Sequence, residues 1–505
     1  MVGLLQALSG LDAHRLRGMR RGLEKESLRA LPTGRVALTP HPAALGSALT
    51  HPHITTDFSE SQLELITGVH PTAQSCLDEL DAVSRFTAQN LGEEMMWVSS
   101  MPCGLPADDD IPLGQYGTSN VGRSKTVYRR GLGYRYGRRM QTISGIHYNW
   151  SLPGVGSTEY FALIRNFRRH AFLLMYLFGA SPAVCSTFVA GRKHPLQPLS
   201  EHTLYLPYAT SLRMGRLGYQ SEAQATLAVS YNCLEGYGRT LESALTQPYA
   251  AYEAIGLRSE DGTYRQLNPY LLQIENEFYG TIRPKRVIRS GERPLHALRE
   301  RGVEYVEVRL MDLDPFETVG IGTRTMQFLD VFLLHCLLTD SPDDTPAEIM
   351  ALGRNQHLVA ERGREPGLSL ERGDGTVALT TWGRELVAQM QPIAQAMDAA
   401  LDTQAYTQAV AHAQHLLDHP EDTPSARVLQ SIQHEYQGSF VAFARAQSQK
   451  THAQLLARPL TAQQITDFVQ QSRDSVAEQA RIEAADTMDF DSYLAQYLSH
   501  DKLVA

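Results

Sequence analysis

The stretch Gly302-Val303-Glu304-Tyr305-Val306-Glu307-Val308-Arg309-Leu310 organises the fold of this 505-residue chain. β-branched and aromatic residues dominate the stretch and no helical period fits it, so it predicts a buried β-strand. Because side chains alternate between the faces of a strand, Glu307 and Arg309 share one face with Val303 and Tyr305. An acid and a guanidinium then point into the same space. Taken alone, the pair is best explained as an ion pair on a solvated sheet.

Two further segments near the N-terminus predict strands with carboxylates on a polar face. In the first, Glu24 and Glu26 lie side by side, and like charges repel there unless a cation sits between them. The second covers residues 61–67 and presents Glu64, and Asp57 enters just before it. Each face could be a solvated outer surface or part of a metal site.

Two more strands are predicted later in the chain, over residues 141–150 and 271–279. The first places Gln141 and His147 on one face, where Gly145 removes a side chain and lets a ligand approach the backbone. A single histidine is usually structural, so His147 counts only in combination with the acids. The basic run at 283–286 could hold phosphates or form a surface turn.

A sheet in which several strands carry acids, Gln, His or Arg on one face costs folding free energy if that face is buried. The simplest explanation is a cup that holds cations and a polar substrate. Carboxylate oxygens suit hard cations, so Mg²⁺ or Mn²⁺ fits better than zinc. The near match to a phosphate-binding loop at Gly117–Ser124 is rejected, because Arg123 stands where the lysine belongs. Metals plus arginines without that loop indicate phosphoryl transfer on an antiparallel sheet.

The amino-acid composition limits the binding partners and the cellular compartment that can be expected for this protein. The net charge of −9 and pI near 6.1 argue against a nucleic-acid or anionic-membrane partner. The longest apolar run, Phe328–Leu338, is too short to span a membrane, and no signal peptide is recognised. Five cysteines without a C-x-x-C pair predict a reducing, cytoplasmic compartment, with each cysteine a small buried residue.

The chain changes character near residue 320. Residues 1–320 are predicted to form the catalytic antiparallel-sheet core with inserted helices. Residues 321–505 are predicted to be mainly helical and packed on that core, with helices over 324–340, 379–403, 404–417, 424–447 and 462–500.

Several long motifs resemble the proteobacterial glutamate–cysteine ligases, in the family's order and most densely from about residue 20 to 320. They are Arg21-Gly22-Leu23-Glu24-Lys25-Glu26, Ala48-Leu49-Thr50-His51-Pro52-His53-Ile54-Thr55-Thr56-Asp57-Phe58, Gln115-Tyr116-Gly117-Thr118-Ser119-Asn120, Met140-Gln141-Thr142-Ile143-Ser144-Gly145-Ile146-His147-Tyr148-Asn149, Leu206-Pro207-Tyr208-Ala209-Thr210-Ser211-Leu212-Arg213, Gln273-Ile274-Glu275-Asn276-Glu277 and Arg283-Pro284-Lys285-Arg286. One small departure is Asp314, where the family motif has asparagine.

The resemblance implies an α+β fold related to glutamine synthetase, in which a curved, largely antiparallel sheet forms a funnel backed by helices. It implies ATP-dependent joining of the γ-carboxylate of L-glutamate to the amine of L-cysteine through a γ-glutamyl phosphate, the first step of glutathione biosynthesis. ATP is then a substrate, Mg²⁺ the expected metal with Mn²⁺ as an alternative, and glutathione the expected feedback inhibitor. The expected state is a monomer.

The resemblance also assigns residues. The metal ligands it implies are Glu24, Glu26, Asp57, Glu64, His147 and Glu307. Arg309, paired with Glu307, is the catalytic arginine that stabilises the phosphoryl group. The substrate-binding residues it implies are Arg129, Gln141 and Arg213 for glutamate and Tyr128, Tyr219 and Tyr279 for cysteine. A core tyrosine with a satisfied hydroxyl is the common alternative for the last three.

Three rival functions are compatible with parts of the pattern. A related carboxylate–amine ligase would use the same acids and arginines with a different amine acceptor. An inactive relative that only binds glutamate or glutathione would be expected to have lost part of the acid set. A metallohydrolase would leave the arginines and Gln141 without a role.

Overall fold

The central strand of the computed structural model runs from Tyr305 to Met311 and lies inside a seven-stranded antiparallel sheet. The structure describes residues 8, 10–218, 222–225, 227–289 and 291–504. In chain order the strands are β1 (Arg20–Ala30), β2 (Ile54–Thr56), β3 (Gln62–Ile66), β4 (Met95–Met96), β5 (Ile146–Ser151), β6 (Ala183–Cys185), β7 (Gln197–Ser200), β8 (Thr203–Tyr205), β9 (Ile282–Lys285), β10 (Tyr305–Met311), β11 (Ser369–Arg372) and β12 (Gly375–Ala378).

The main sheet has the strand order β2-β3-β1-β5-β10-β9, and β4 pairs with the far end of β1. A three-stranded sheet, β6-β8-β7, and the hairpin β11-β12 lie apart from it. Because every pairing in the main sheet is antiparallel and helices cover one face, the architecture is α+β.

The helices occupy the intervals between strands and almost all of the C-terminal third. They are α1 (Ala13–Arg17), α2 (Ala73–Gln89), α3 (Asn120–Tyr136), α4 (Ser157–Phe178), α5 (Glu222–Ala225), α6 (Leu234–Thr246), α7 (Ala250–Ile255), α8 (Pro294–Arg301), α9 (Thr323–Leu338), α10 (Pro346–Arg362), α11 (Leu379–Leu401), α12 (Ala405–Asp418), α13 (Pro424–His434), α14 (Phe440–Leu456), α15 (Ala462–Ala485) and α16 (Phe490–Tyr497). None of these described helices is long and apolar enough to cross a membrane.

The sheet buries one face and keeps the other polar, as the alternation in β10 predicts. Val306 and Val308 are fully buried in the main hydrophobic core, together with Leu23 of β1, Leu65 of β3 and Tyr148 of β5. Helices α4 and α9 pack together in the same core. The acids of the central strands therefore lie on the opposite face.

Several local predictions are wrong. Residues 140–142 form a 3₁₀ turn instead of strand, so Gln141 does not share a strand face with His147. Residues 275–277 also form a 3₁₀ turn, and the strand in that region is β9. The helix predicted over 424–447 is two helices, α13 and α14, because Gln437 and Gly438 adopt positive φ of 51° and 79° between them. The exposed Cys233 corrects the prediction that all five cysteines are buried.

One buried ion pair ties the sheet to the helices behind it. Asp330 of α9 is 0% exposed and accepts from Arg21 of β1, with distances of 2.8 Å to Nε and 2.6 Å to Nη2. Tyr148 donates to the other carboxylate oxygen at 2.7 Å, and Arg21 Nη2 reaches the hydroxyl of Tyr406 in α12 at 3.2 Å. Four elements thus meet in one network in which each charged atom has a partner.

This network predicts a large stability loss in Asp330→Asn. The change leaves the buried Arg21 guanidinium without a counter-charge, which typically costs about 3–5 kcal/mol. Thermal unfolding should show a clearly lowered midpoint. The matched control is Glu371→Gln in the exposed ion pair with Arg354, where the midpoint should change little. Equal shifts in the two variants would contradict this role for Asp330.

Candidate active site

The register of the main sheet brings the predicted acids onto one face. Glu24 lies opposite His147, and Glu26 lies opposite Glu64. Glu307 lies opposite Asn149. Three strand pairings therefore gather carboxylates that are up to 283 residues apart in the chain, the separation of Glu24 and Glu307.

His147 sits between three of these acids. Its Nδ1 lies 3.0 Å from Glu24 Oε2 and 3.9 Å from Glu307 Oε1, and its Nε2 lies 3.4 Å from Glu26 Oε1. Donor atoms of Glu24, Glu64 and His147 all lie within 4.8 Å of one another, a grouping that can hold a metal ion. Asn149 donates to the second Glu24 oxygen at 2.9 Å and orients that carboxylate.

Glu26 and Glu64 are held where ionisation is unfavourable. Burial raises the pKa of Glu64 well above its ordinary value, and the charges of Glu24, Asp57 and Glu26 raise it further. Burial and the charge of Asp57 raise the pKa of Glu26 as well. A cation at this position would remove the repulsion, so this part of the site is built to receive positive charge.

Glu307 has the opposite environment. Burial opposes its ionisation, but nearby cations outweigh burial and hold its pKa well below the ordinary value. Lys285 Nζ lies 3.1 Å from Oε1, Arg309 Nη1 lies 3.1 Å from Oε2, and Arg283 Nη1 lies 3.8 Å from Oε2. Glu307 therefore collects three basic groups from β9 and β10 beside the other acids.

Arg213 enters the site from a 3₁₀ turn and is 1% exposed. Its Nη2 donates to the backbone carbonyl of Arg309 at 2.8 Å, and its Nη1 lies 3.8 Å from Asp312 Oδ1. Gly145 makes room for it, because a Cβ at that position would lie 2.1 Å from Arg213 Nη2. Asp312 is itself fixed by Ser181 Oγ at 2.6 Å and Ser211 Oγ at 2.9 Å.

The remaining predicted binding residues occupy the rim. Gln141 donates to the Tyr279 hydroxyl at 2.7 Å. Arg129 of α3 donates to the backbone carbonyl of Asp57 and lies over the Tyr116 ring, 4.4 Å from its centroid. Tyr128 is half-buried on the same helix. Tyr219 lies outside the described residues.

A cavity of about 120 Å³ opens beside Arg213 and Arg309. Arg213 and Arg309 line it together with Met214, Tyr279 and Ile282. It is small and mixed in polarity, which suits a small amino acid.

The structure adds residues that the sequence argument missed. Lys285 and Arg283 face Glu307 from the edge strand β9, where the sequence predicted either a phosphate-holding run or a surface turn. Asn149 and Asp312 act by orienting Glu24 and Arg213. The alternation of cations at 283 and 285 is the period of a strand and was the available signal for the first pair.

Comparison with known proteins gives consistent matches. A family model described as glutamate–cysteine ligase matches residues 5–359. A glutamate–cysteine ligase from Alcanivorax borkumensis is 47% identical, covering 98% of this chain and 99% of that protein. One from Janthinobacterium sp. (strain Marseille) is 49% identical, covering 97% of this chain and 96% of that protein.

Solved structures agree with the sequence matches. The crystal structure of glutamate–cysteine ligase from Francisella tularensis in complex with AMP superimposes with a TM-score of 0.91 at 37% identity, covering 96% of this chain and 98% of that one. A bifunctional glutathione synthetase from Pasteurella multocida shares the fold, with a TM-score of 0.69 at 24% identity, covering 98% of this chain and 57% of that one.

The electrostatics of the acid cluster predict that Glu64→Gln stabilises the metal-free protein. A raised folded-state pKa means that Glu64 supports folding below the ordinary glutamate pKa of about 4.3, and that this support is lost as pH rises through the raised value. The amide stays neutral throughout. With a chelator present to remove metal, the thermal midpoint of Glu64→Gln should exceed that of the unchanged protein at about pH 8. At about pH 5 the two midpoints should be similar.

The exposed Glu93 provides the control, since Glu93→Gln should leave the midpoint unchanged at both pH values. A metal-free Glu64→Gln protein that melts lower than the unchanged protein at the higher pH would refute the proposed repulsion.

Proposed function

The chain belongs to the glutamate–cysteine ligase family and catalyses the ATP-dependent ligation that begins glutathione biosynthesis, and we propose that the polar face of β1, β3, β5 and β10 is its reaction centre. The observation that carries the proposal is one cluster in which Glu24, Glu26, Glu64 and Glu307 meet three basic groups. A carboxylate is a poor electrophile, so ATP must first convert the glutamate γ-carboxylate to a γ-glutamyl phosphate. The cysteine amine then attacks it, and phosphate leaves.

The acids fit a divalent metal, and we assign Mg²⁺, with Mn²⁺ as the alternative. The fit rests on the donor set, in which oxygens dominate, and on the raised pKa of Glu64. Glu24, Glu64 and His147 would hold the ion, with Glu26, Asp57 and Glu307 as neighbouring acids. The metal would neutralise phosphate oxygens of ATP. The carboxylates of these residues supply the negative face that would hold the metal ion in place.

Arg309 is the residue proposed to stabilise the transferring phosphoryl group. Its guanidinium lies 3.1 Å from Glu307 and its side chain is 20% exposed, so it is fixed on one side and open to the site on the other. Lys285 and Arg283 share Glu307 and extend the basic surface. Preorganised charge of this kind acts where negative charge develops in the reaction.

Arg213, Arg129 and Gln141 are proposed to bind glutamate. The Arg309 carbonyl and Asp312 already orient the buried Arg213 guanidinium. Arg213 therefore loses little conformational freedom when a carboxylate pairs with it. The cavity beside Arg213 and Tyr279 would take cysteine, with Tyr128 and Tyr219 as further contacts and His147 nearby.

We also propose how the chain divides into a catalytic unit and a helical part. Residues 1–320 would form the catalytic unit and residues 321–505 a helical part that packs on it. The enzyme would act in the cytoplasm as a monomer, with no nucleic-acid or membrane partner. The network of Arg21 and Asp330 supports a close association of the two parts, since it joins β1 to α9.

Arg309→Lys should separate the catalytic role from a structural one. Lysine keeps the charge but loses the planar fork that binds two oxygens at once. We expect kcat to fall by about 100-fold or more, with smaller changes in KM for glutamate and cysteine. The assay is ADP release, which should require all three substrates and Mg²⁺.

The matched control is Arg286→Lys, one residue beyond β9, where the side chain pairs with Glu304 instead of Glu307. It should keep its kcat. If Arg309 only holds the sheet, its lysine variant would melt earlier and keep most of its turnover per folded molecule, and that result would remove Arg309 from the mechanism.

Glutathione should inhibit in competition with glutamate. It carries the same γ-glutamyl group, and its cysteine matches the proposed acceptor cavity. Initial rates at several glutamate and glutathione concentrations should give lines that share one maximal rate. A maximal rate that falls with glutathione at saturating glutamate would place the inhibitor at a separate site.

A further inference from the structure

A second group of metal-ligating side chains lies behind the sheet, away from its acidic face. His170 projects from α4, and His335 and Cys336 project from α9, the helix that packs beside it. One donor atom from each residue lies within 4.8 Å of the other two. The imidazole rings of His170 and His335 have centroids 5.6 Å apart. The ligase reaction described above uses none of these residues.

The protonation of His335 is fixed by a neighbour. Its Nε2 lies 2.9 Å from Gln389 Oε1 of α11, and an amide oxygen can only accept, so Nε2 carries the hydrogen. Nδ1 then presents a lone pair. This arrangement, in which the second ring nitrogen donates to an oxygen, is the one that metal-binding histidines adopt.

Both histidines carry a buried nitrogen without a hydrogen-bond partner. Within the described ranges, Nδ1 of His170 and Nδ1 of His335 have no partner, and His335 is 0% exposed. A buried polar atom left unsatisfied costs about 1–3 kcal/mol. Because the two rings lie on packed helices beside a buried thiol, an ion held there could supply the missing partner.

We propose that His170, His335 and Cys336 form a site for one zinc ion. Two imidazole nitrogens and a sulfur, with no oxygen donor, suit a borderline-soft cation better than Mg²⁺, which prefers oxygen ligands. Bonds of about 2.0–2.3 Å in a tetrahedron put donor atoms roughly 3.3–3.6 Å apart, so side-chain adjustments of about 1 Å complete the site. On binding, the thiol proton passes to solvent and sulfur ligates as thiolate. A fourth position stays open.

A cavity of about 510 Å³ lies beside the site, and His170 and Trp382 help to line it. Its charges are balanced, since three acids and three arginines line it together: Glu348, Glu371, Asp374, Arg169, Arg354 and Arg372. The cavity gives an ion access as far as His170. The ion would link α4 to α9, which also carries Asp330, so binding should stabilise the helical layer behind the sheet.

The test uses Co²⁺ as a spectroscopic probe of the full-length protein, with excess Mg²⁺ and ATP to occupy the acidic face. Thiolate ligation gives a sulfur-to-cobalt charge-transfer band in the near ultraviolet, which oxygen and imidazole ligands cannot give. We expect one such band per chain, its loss in Cys336→Ser, and its retention in the control Cys76→Ser. Zinc should remove the band by displacing cobalt.

A second variant keeps the test decisive if Cys336→Ser does not fold. Gln389→Leu leaves all three ligands in place and should weaken zinc affinity about 10–100-fold, measured by competition with a chelating dye. Zinc should also raise the thermal midpoint of the unchanged protein and not that of His170→Gln. If the unchanged protein shows no charge-transfer band, or the band persists in Cys336→Ser, the proposal is wrong.

Discussion

The mutual repulsion of Glu24, Glu26 and Glu64 is the constraint on which the rest of the active face depends. These carboxylates lie on adjacent antiparallel strands, where like charges destabilise the sheet unless cations offset them. The fold tolerates the arrangement because the opposite face of the same strands contributes Leu23, Leu65 and Val308 to the main hydrophobic core, which helices cover. The network of Arg21 and Asp330 then fixes β1 against α9 from behind.

The acid cluster has two electrostatic halves. Glu307 is surrounded by Lys285, Arg309 and Arg283, so it is ionised at a low pKa and serves to orient basic groups. Burial and three acids outweigh the charge of Arg129 at Glu64, and the raised pKa of Glu64 marks a position that accepts a cation. In the proposed reaction, the first half would face the moving phosphoryl group and the second would hold the metal.

Much of the architecture follows from side-chain alternation. The valines and charged residues of β10 separate as predicted, and Glu24, Glu64, His147, Glu307 and Arg309 do gather on one face. The errors are local. Gln141 lies in a 3₁₀ turn before β5 and donates to Tyr279 from there. The basic run at 283–286 was predicted to hold phosphates or to form a surface turn, yet it lies mostly in the edge strand β9, where proline is tolerated. The helix α10 and the hairpin β11-β12 were missed although the sequence carries local signals for both. Thr345 caps the start of α10 with Pro346 after it, and Gly373 turns the hairpin with a positive φ of 58°.

The location of the bound metal tests the central claim most directly. Crystals grown with Mn²⁺ and ADP should show anomalous scattering from Mn²⁺ within coordination distance, about 2.1–2.3 Å, of carboxylate oxygens of Glu24 and Glu64. The partly exposed group of Glu292, His296 and Glu300 offers an internal comparison, because it also has three donors but no fully buried acids. Manganese on the acidic face of β1 and β3 is the predicted result. Manganese only at the partly exposed group, with that face holding none, would contradict the account.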